Sequence, residues 1–369
     1  MSEAVDKAFA AAVREKRVPG IATVALNRDG SVIYKNSWGT VNINDPTSAP
    51  VTSTTKMEIA SMLKAFISVA ALQLLEQGKF SLDDLVEEYI PSWTNISVLD
   101  GFTPDGEPIL RPPKTKATIL QLFTHTAGPG YWFTSENLNR FERWAGTLPQ
   151  VAPDPVDPEP LIADPGTGWF YGTSNDYLGH IVETISGVSL TTYLNQHIFT
   201  PLGIQKPTVI PTEMHAHRRL PNGTITSQPP NATNILPSYL LSSLDEYAAF
   251  LLALINHGTH PTLGTTILQP STVKNYVFTD LFPLSLTSPE PYTGPTIGWS
   301  AAFLVNNQDV KGRRSKGSGA WGGIYNLYYW VDLEAGKLGL VFTNLLPFLD
   351  PVVLDLFGKL EEFVYGCDE

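Results

Sequence analysis

A serine followed three positions later by a lysine sets a hydroxyl and an amine on one face of a helix. There the amine can influence the serine proton and so raise its nucleophilicity. The sequence contains this pairing at Ser53–Lys56, Ser61–Lys64 and Ser271–Lys274. Surroundings separate the three. Ser53 lies in a polar stretch, Asp45–Thr55, where its lysine is expected to be solvated and charged. Ser271 follows Pro270 at an expected helix start, where serine is a common cap. Ser61 opens a run whose apolar residues Phe66, Ile67, Val69, Ala70, Leu74 and Leu75 fit a long helix to about Gln77, with Gly78 as its stop. In that setting Lys64 can be held dry, its pKa lowered by desolvation. The same features also describe an ordinary serine at the start of a buried helix.

The elements around this pair suggest what must hold it. Residues 1–20 read as an amphipathic helix with charges throughout, unlike a signal peptide. Ile21–Leu26 and Ser31–Tyr34 flank Arg28-Asp29-Gly30 and read as a hairpin. Ser81 is placed to cap a further helix over Ser81–Tyr89. Helical patterns follow at Ile119–Thr124, Asn175–Ser186, Leu190–Ile198 and Leu244–Asn256, between proline-rich stretches at 148–165 and 201–230. From Gly298 the pattern turns to strands, Trp299–Val305, Ile324–Val331 and Leu338–Thr343, closed by a helix over Pro351–Tyr365. Strands at both ends with helices between define an α+β expectation. An antiparallel sheet from 1–55 and 291–369 would carry an inserted, mostly helical domain, 56–290, with the site between them.

Composition narrows the class further. The chain has 369 residues, 43% of them hydrophobic and 16% charged, as expected of a globular protein with a sizeable core. With 24 Lys+Arg against 36 Asp+Glu and no basic stripe interleaved with aromatics, nucleic acid is not an expected partner. The longest apolar run, Ala65–Leu75, is too short for a bilayer, so no membrane association is expected and the localisation is read as cytoplasmic. The single cysteine, Cys367, excludes a disulfide framework and cysteine metal clusters. Sequons at Asn95, Asn222 and Asn231 are read as chance. No metal and no cofactor is expected: there is no His-Glu-x-x-His, no phosphate-binding glycine loop, and His215/His217 sit in a polar, solvated stretch.

Several ordered segments carry a resemblance. Lys56-Met57-Glu58-Ile59-Ala60-Ser61-Met62-Leu63-Lys64-Ala65-Phe66 resembles the active-site helix of class C β-lactamases and their esterase relatives, within the superfamily of serine β-lactamases and penicillin-binding proteins. Gly78–Asp84 is similar to the segment after the nucleophile in that family. Leu122-Phe123-Thr124-His125-Thr126-Ala127-Gly128 resembles its Leu-Leu-Thr-His-Thr-Ser-Gly stretch, and Pro165-Gly166 followed by Tyr171 its second motif. The string Tyr171-Gly172-Thr173-Ser174-Asn175-Asp176-Tyr177-Leu178-Gly179 lacks the Tyr-x-Asn of β-lactamases. It is similar instead to a fungal branch containing the lovastatin side-chain acyltransferase and related ester hydrolases. With the N-terminal hairpin and the C-terminal strands, the likeness spans nearly the whole chain.

The resemblance implies a β-lactamase/transpeptidase-like fold and an acyl-enzyme on Ser61, with Lys64 and Tyr171 completing the site. Phenols and amines ordinarily titrate near ~10, so either needs about three units of depression, about 4 kcal/mol, to serve as a free base at neutral pH. Ser61, Lys64 and Tyr171 are therefore read as one coupled network with no sole base. For the third motif, Lys-Thr-Gly in β-lactamases, Lys316-Gly317-Ser318 has the cation but the wrong order. Trp321-Gly322-Gly323 precedes the apolar run Ile324–Val331, where the motif belongs. Gly322 and Gly323 are read as room for the acyl group, or as a plain bulge. The N–H groups of Ile324 and Ser61 are implied as the oxyanion hole. Trp321 in the lysine's place makes an aromatic wall, with Tyr131 and Trp132 as further walls or as packing under a loop.

These features point to a serine carboxylesterase or acyltransferase acting on esters of a small hydrophobic metabolite in secondary metabolism. A thioester or acyl-carrier-bound donor is compatible with that chemistry. The alternatives are a β-lactamase or D-aminopeptidase-type hydrolase and an inactive binding protein on the same fold. A Ser-His-Asp hydrolase has no Gly-x-Ser-x-Gly elbow to stand on; Gly298–Ala302 only approaches one.

Overall fold

A computed structural model describes residues 2–146, 157–205, 213–228, 240–283, 286 and 297–366. Cys367, the sequon at Asn231 and parts of both proline-rich stretches lie outside the described residues. Helices of eight or more residues are α1 (Ser2–Arg14), α2 (Leu63–Glu76), α3 (Glu136–Ala145), α4 (Ser174–Ser186), α5 (Leu244–Ile255) and α6 (Pro351–Gly366). Two compact units emerge, one of Met1–Leu63, Phe199–Lys274 and Phe303–Glu369, the other of Lys64–Ile198 and Asn275–Ala302.

In the first unit, β1 (Gly20–Asn27), β2 (Val32–Gly39), β3 (Leu304–Asn306), β4 (Gly319–Gly323), β5 (Leu327–Asp332) and β6 (Lys337–Phe342) pair antiparallel in the order β2-β1-β6-β5-β4-β3. The two chain ends thus build one sheet, as the alternation of strand and helix patterns predicts. Its faces are covered by different helices. Val5 and Phe9 of α1 and Leu356 and Leu360 of α6 pack with Ile21, Ala25, Trp330 and Val341. On the opposite side chains, Tyr247 of α5 lies 5.2 Å from the Tyr329 ring and 6.1 Å from Phe342. Burial on both faces explains why β5 and β6 read as unbroken apolar runs. The sheet is also tightly packed along its plane: a Cβ on Gly339 would stand 2.1 Å from the Trp330 indole, its cross-strand partner.

The expected insert boundaries of 56–290 differ from this division, because 199–274 clusters with the sheet. The cause is α5, which buries nine of its twelve residues and packs on β1, β5 and β6. Ser243 caps it by accepting from the Glu246 N–H, with Glu246 closing a capping box. Two expected strands are also re-drawn. Trp299–Val305 is broken, since Ala301 N donates to Tyr276 O and Ser300 Oγ accepts from Ala302 N. Ile324–Val331 begins only at Leu327; Ile324 and Tyr325 form the turn between β4 and β5, closed by Asn326 N donating to Gly323 O. Ser81 caps no α-helix. Its N–H donates to Asp84 Oδ2, and a short 3-10 turn, Val86–Glu88, follows. Ser271 lies within a short helical turn, Pro270–Thr272, without a side-chain cap bond.

His217, expected in a solvated stretch, is buried in a short strand, Ala216–Arg219. Its Nδ1–H donates to Asn344 O at 3.1 Å while Nε2 accepts from Ile43 N at 3.3 Å, which fixes the neutral tautomer. Burial pulls its pKa down to about 4 from 6.5. The unfolded chain therefore binds more protons between these two values, so stability is full above about pH 6.5 and falls toward pH 4, by about 3 kcal/mol. Urea unfolding at pH 7.5 and 4.5 should show this loss. His217→Gln, which keeps a donor and an acceptor, should flatten the slope; an unchanged slope in that variant would assign the acid loss to other groups.

The second unit is mostly helical. α2 is mostly apolar, and every residue of Ala65–Leu72, Ser68 included, is buried. Thr118 accepts from Gln121 N in a capping box that starts the Ile119–Phe123 helix, delivering the Thr124–Gly128 stretch beside it. α4 begins at Ser174, three residues after Tyr171, and its Asn175 Nδ2 donates to Lys64 O at 3.4 Å and to Ser68 Oγ at 3.0 Å. These bonds tie the start of α4 to the first turns of α2.

Candidate active site

Ser61 lies in a 3-10 turn, Ala60–Met62, that passes directly into α2. Ala60, just before it, takes a φ of 45°, in a region costing a non-glycine residue about 1 kcal/mol. Strain next to a candidate nucleophile is where a functional constraint would place it. Two contacts pin the turn. Tyr247 Oη donates to Met62 O at 3.0 Å, and the end of β4 closes on its other side. A Cβ on Gly323 would stand 2.5 Å from Ile59 O, and one on Gly322 would meet Leu327 O at 2.5 Å. The protein's own backbone therefore demands both glycines. The register of β4 with β5 is regular, so they form no bulge. Trp321 sits on β4 opposite Tyr329, and Ile324 occupies the turn with 37% exposure.

Lys64, one helical turn beyond Ser61, points into an aromatic cluster of the second unit. Its Nζ donates to Tyr131 Oη at 2.8 Å and lies 5.3 Å from the Tyr131 ring centre and 5.2 Å from that of Tyr171. The two tyrosine rings meet edge to face at 5.8 Å. Trp169 stacks on Tyr171 at 5.6 Å, and His125 lies 4.9 Å from Tyr171 and 5.0 Å from Trp299. Trp299 is itself anchored by its indole N–H, which donates to Phe123 O at 3.1 Å. His125, at φ 55°, is fully buried with neither ring nitrogen hydrogen-bonded among the described residues. Trp132 rests edge-on against Phe133 at 5.5 Å.

The electrostatics of this cluster correct one expectation. Burial does work to lower the Lys64 pKa, but the Tyr131 and Tyr171 oxygens and the Asp176 carboxylate outweigh it, and the pKa ends above its ordinary value. Burial raises the Tyr131 pKa, so that phenol stays protonated. Burial also raises Asp176 to about 6, partly offset by Lys64, which leaves it ionised at neutral pH as the lysine's countercharge. His125 is driven well below its usual value by burial and by the Lys64 charge, and is neutral.

The sequence thus named Ser61, Lys64 and Tyr171, and the fold joins Lys64 to Tyr171 and, along the helix, to Ser61. It missed Asp176, which reads as an ordinary acidic residue in a helix's first turn. The decoy serines are occupied elsewhere: Ser53 Oγ donates to Asp245 Oδ2 at 2.8 Å, and Lys56, expected to be solvated, is ion-paired with the partly buried Glu246.

An antiparallel sheet built from both chain ends and a second, mostly helical unit give the beta-lactamase/transpeptidase-like fold. The family described as beta-lactamase matches residues 5–359, and the chain belongs to it. It is 27% identical to the monacolin J acid methylbutanoyltransferase of Aspergillus terreus, over 98% of this chain and 95% of that one. It is 26% identical to the lovastatin esterase of Penicillium rubens, over 98% of each. Among solved structures, a mutant simvastatin synthase from Aspergillus terreus superposes with a TM-score of 0.87 at 27% identity, covering 98% of this chain and 94% of that chain. Among the described residues no helix is long and apolar enough to cross a membrane.

Proposed function

We propose that this enzyme is a serine esterase or acyltransferase that forms an acyl-enzyme on Ser61, taking the acyl group from a carboxylic ester or thioester of a small hydrophobic metabolite. One observation carries the reading: a buried lysine, one turn from Ser61, whose ammonium is set between two tyrosines. Ser61 Oγ attacks the carbonyl carbon as its proton passes to Tyr171, the group left to accept it because Lys64 already holds its own full complement. That role requires Tyr171 to enter the step as the phenolate. The tetrahedral oxyanion would be held by the N–H groups of Ser61 and Ile324. Its collapse breaks the bond to the alcohol or thiol, which leaves with the proton from Tyr171. Water or an acceptor hydroxyl then attacks the acyl-serine and passes its proton to Tyr171, and as the ester bond to Ser61 breaks the serine oxygen takes that proton back from Tyr171.

Support for an apolar substrate comes from Trp321 on β4, which the resemblance puts in the place of the lysine of the β-lactamase third motif. A β-lactam brings a carboxylate, and burying it against indole without a partner is costly. Relatives named for methylbutanoyl transfer and for lovastatin ester hydrolysis fit the same preference, and they support a place in secondary metabolism. The test is a substrate panel. p-Nitrophenyl butyrate and acyl thioesters, with and without alcohol acceptors, should be turned over, and penicillins and cephalosporins slowly or not at all. Efficient β-lactam hydrolysis would overturn the reading of Trp321.

A further inference from the structure

We propose that Tyr131 is a positioning residue for the reaction: its hydroxyl, by accepting a hydrogen bond from Lys64, fixes where the ammonium points, and its ring is not a wall that selects the acyl chain. The proposal rests on the catalytic reading of Ser61, Lys64 and Tyr171 given above.

Lysine is a compact charge on a flexible four-carbon stem, so its position has to be imposed from outside. The Lys64 backbone is fixed by α2 and by Asn175, which reaches its carbonyl. The Nζ end is fixed by the 2.8 Å bond to Tyr131 Oη. Tyr131 is well built for this. Its ring is only 5% exposed, stacked on Phe133 at 4.8 Å and 14° on one side and meeting Tyr171 on another. Its carbonyl accepts from Thr134 N, Thr134 Oγ1 and Ser135 N, which closes the turn entering α3. A phenol so enclosed has little free surface to offer a substrate, while its oxygen is committed to the lysine. Because burial keeps it protonated, Tyr131 acts as a neutral acceptor and does not compete with Tyr171 for the serine proton.

The titratable groups facing Lys64 are Tyr131, Tyr171, His125 and, from α4, Asp176. His125 is neutral, so Asp176 carries the opposing charge and Tyr131 the direction. Removing the Tyr131 oxygen leaves the charge balance in place but takes away the hydrogen bond that directs the ammonium toward it and a group that favours the charge. The activity should then fall in kcat, and the loss of activity as Lys64 deprotonates should begin at lower pH.

The experiment compares native enzyme with Tyr131→Phe on p-nitrophenyl acetate and p-nitrophenyl decanoate, with kcat followed across about pH 6 to 11. The expected result is a kcat lowered about 10- to 100-fold on both esters, KM within about threefold, and the alkaline limb displaced toward neutral pH by at least about one unit. Difluorotyrosine at position 131, a weaker acceptor of the same shape, should move the limb the same way by less, and it guards against a folding defect in the phenylalanine variant. A raised KM confined to decanoate with kcat retained would make Tyr131 a wall and overturn the proposal. A lowered kcat with an unmoved limb in both variants would reduce it to packing and also overturn it. Failure of the native enzyme to turn over either ester would instead strike the catalytic reading of Ser61.

Discussion

Ser61→Ala is expected to abolish turnover of every ester substrate, by at least about 10⁴-fold in kcat, and to abolish labelling by a fluorophosphonate probe. The expectation rests on contrast among the three Ser-x-x-Lys pairs. Ser53 is hydrogen-bonded to Asp245 and its lysine is neutralised by Glu246, so neither the hydroxyl nor the amine is available to each other. Ser271 and Lys274 are both exposed, where water screens the amine and keeps it from acting on the serine. Only at Ser61 does the lysine enter a dry cluster with ionised Asp176 behind it. Ser53→Ala and Ser271→Ala should therefore keep kcat, with the first losing about 1 kcal/mol of stability at most for its hydrogen bond. Intact-protein mass spectrometry followed by peptide mapping decides it: the probe should sit on the peptide containing Ser61, and an adduct on either decoy would end the assignment.

What the sequence made legible follows from how local each signal is. The nucleophile turn, the α2 helix, the hairpin of β1 and β2 and the closing helix α6 are each written in one continuous stretch with its own periodicity and stops. α5 was equally legible as a helix, but its allegiance was not. A helix apolar on nearly every side declares that it is buried without declaring against what. The β4–β5 turn misled for a related reason. Ile324 and Tyr325 are apolar and adjoin Leu327–Val331, so composition extends the strand through them. The stop is set by Asn326, at φ 61°, whose side chain donates to Leu345 O and Pro347 O and accepts from Tyr328 Oη and Asp350 N. Those partners lie up to 24 residues away, beyond the reach of a local pattern.

The same distinction holds at the site. Ser61 and Lys64 lie three positions apart across the 3-10 turn and the start of α2, and spacing with its surroundings singled them out, whereas Tyr131 and Asp176 meet Lys64 from segments 67 and 112 positions away, the second figure being 176 less 64. The sign of the lysine's pKa depends on these distant groups. From the sequence, burial in an apolar helix is the only visible influence, and it acts downward. The structure adds a carboxylate and two phenolic oxygens, which reverse it. That reversal changes the roles within the network. On that ground the proposal gives the base's place to Tyr171 and not to Lys64.

Tyr171→Phe and Lys64→Met are each expected to lower kcat by at least about 10³-fold while KM moves little, since neither group is proposed to grip the ground-state ester. In the proposed mechanism the roles differ: Tyr171 takes and returns the proton, and Lys64 sets a hydrogen-bond donor and a charge beside it. Each is useless without the other, so the double variant should be little worse than the worse single one, where independent contributions would multiply to about 10⁶-fold. The two singles also separate by substrate. On an activated ester the leaving group needs no proton, so Tyr171→Phe should retain near-native kcat there only if its work is confined to protonating the leaving group. Near-native kcat on both activated and unactivated esters would remove Tyr171 from the mechanism. Lys64→Met carries a second signature. It keeps the volume but strips Asp176 of its partner, and that carboxyl, already raised to about 6 by burial, should rise further and take up a proton near neutrality. Carboxyl infrared absorption titrated in native and Lys64→Met enzyme should show one group moving upward in pH. If none moves, Asp176 is not the countercharge, and the cationic state of Lys64 would have to be sustained by the tyrosine oxygens alone.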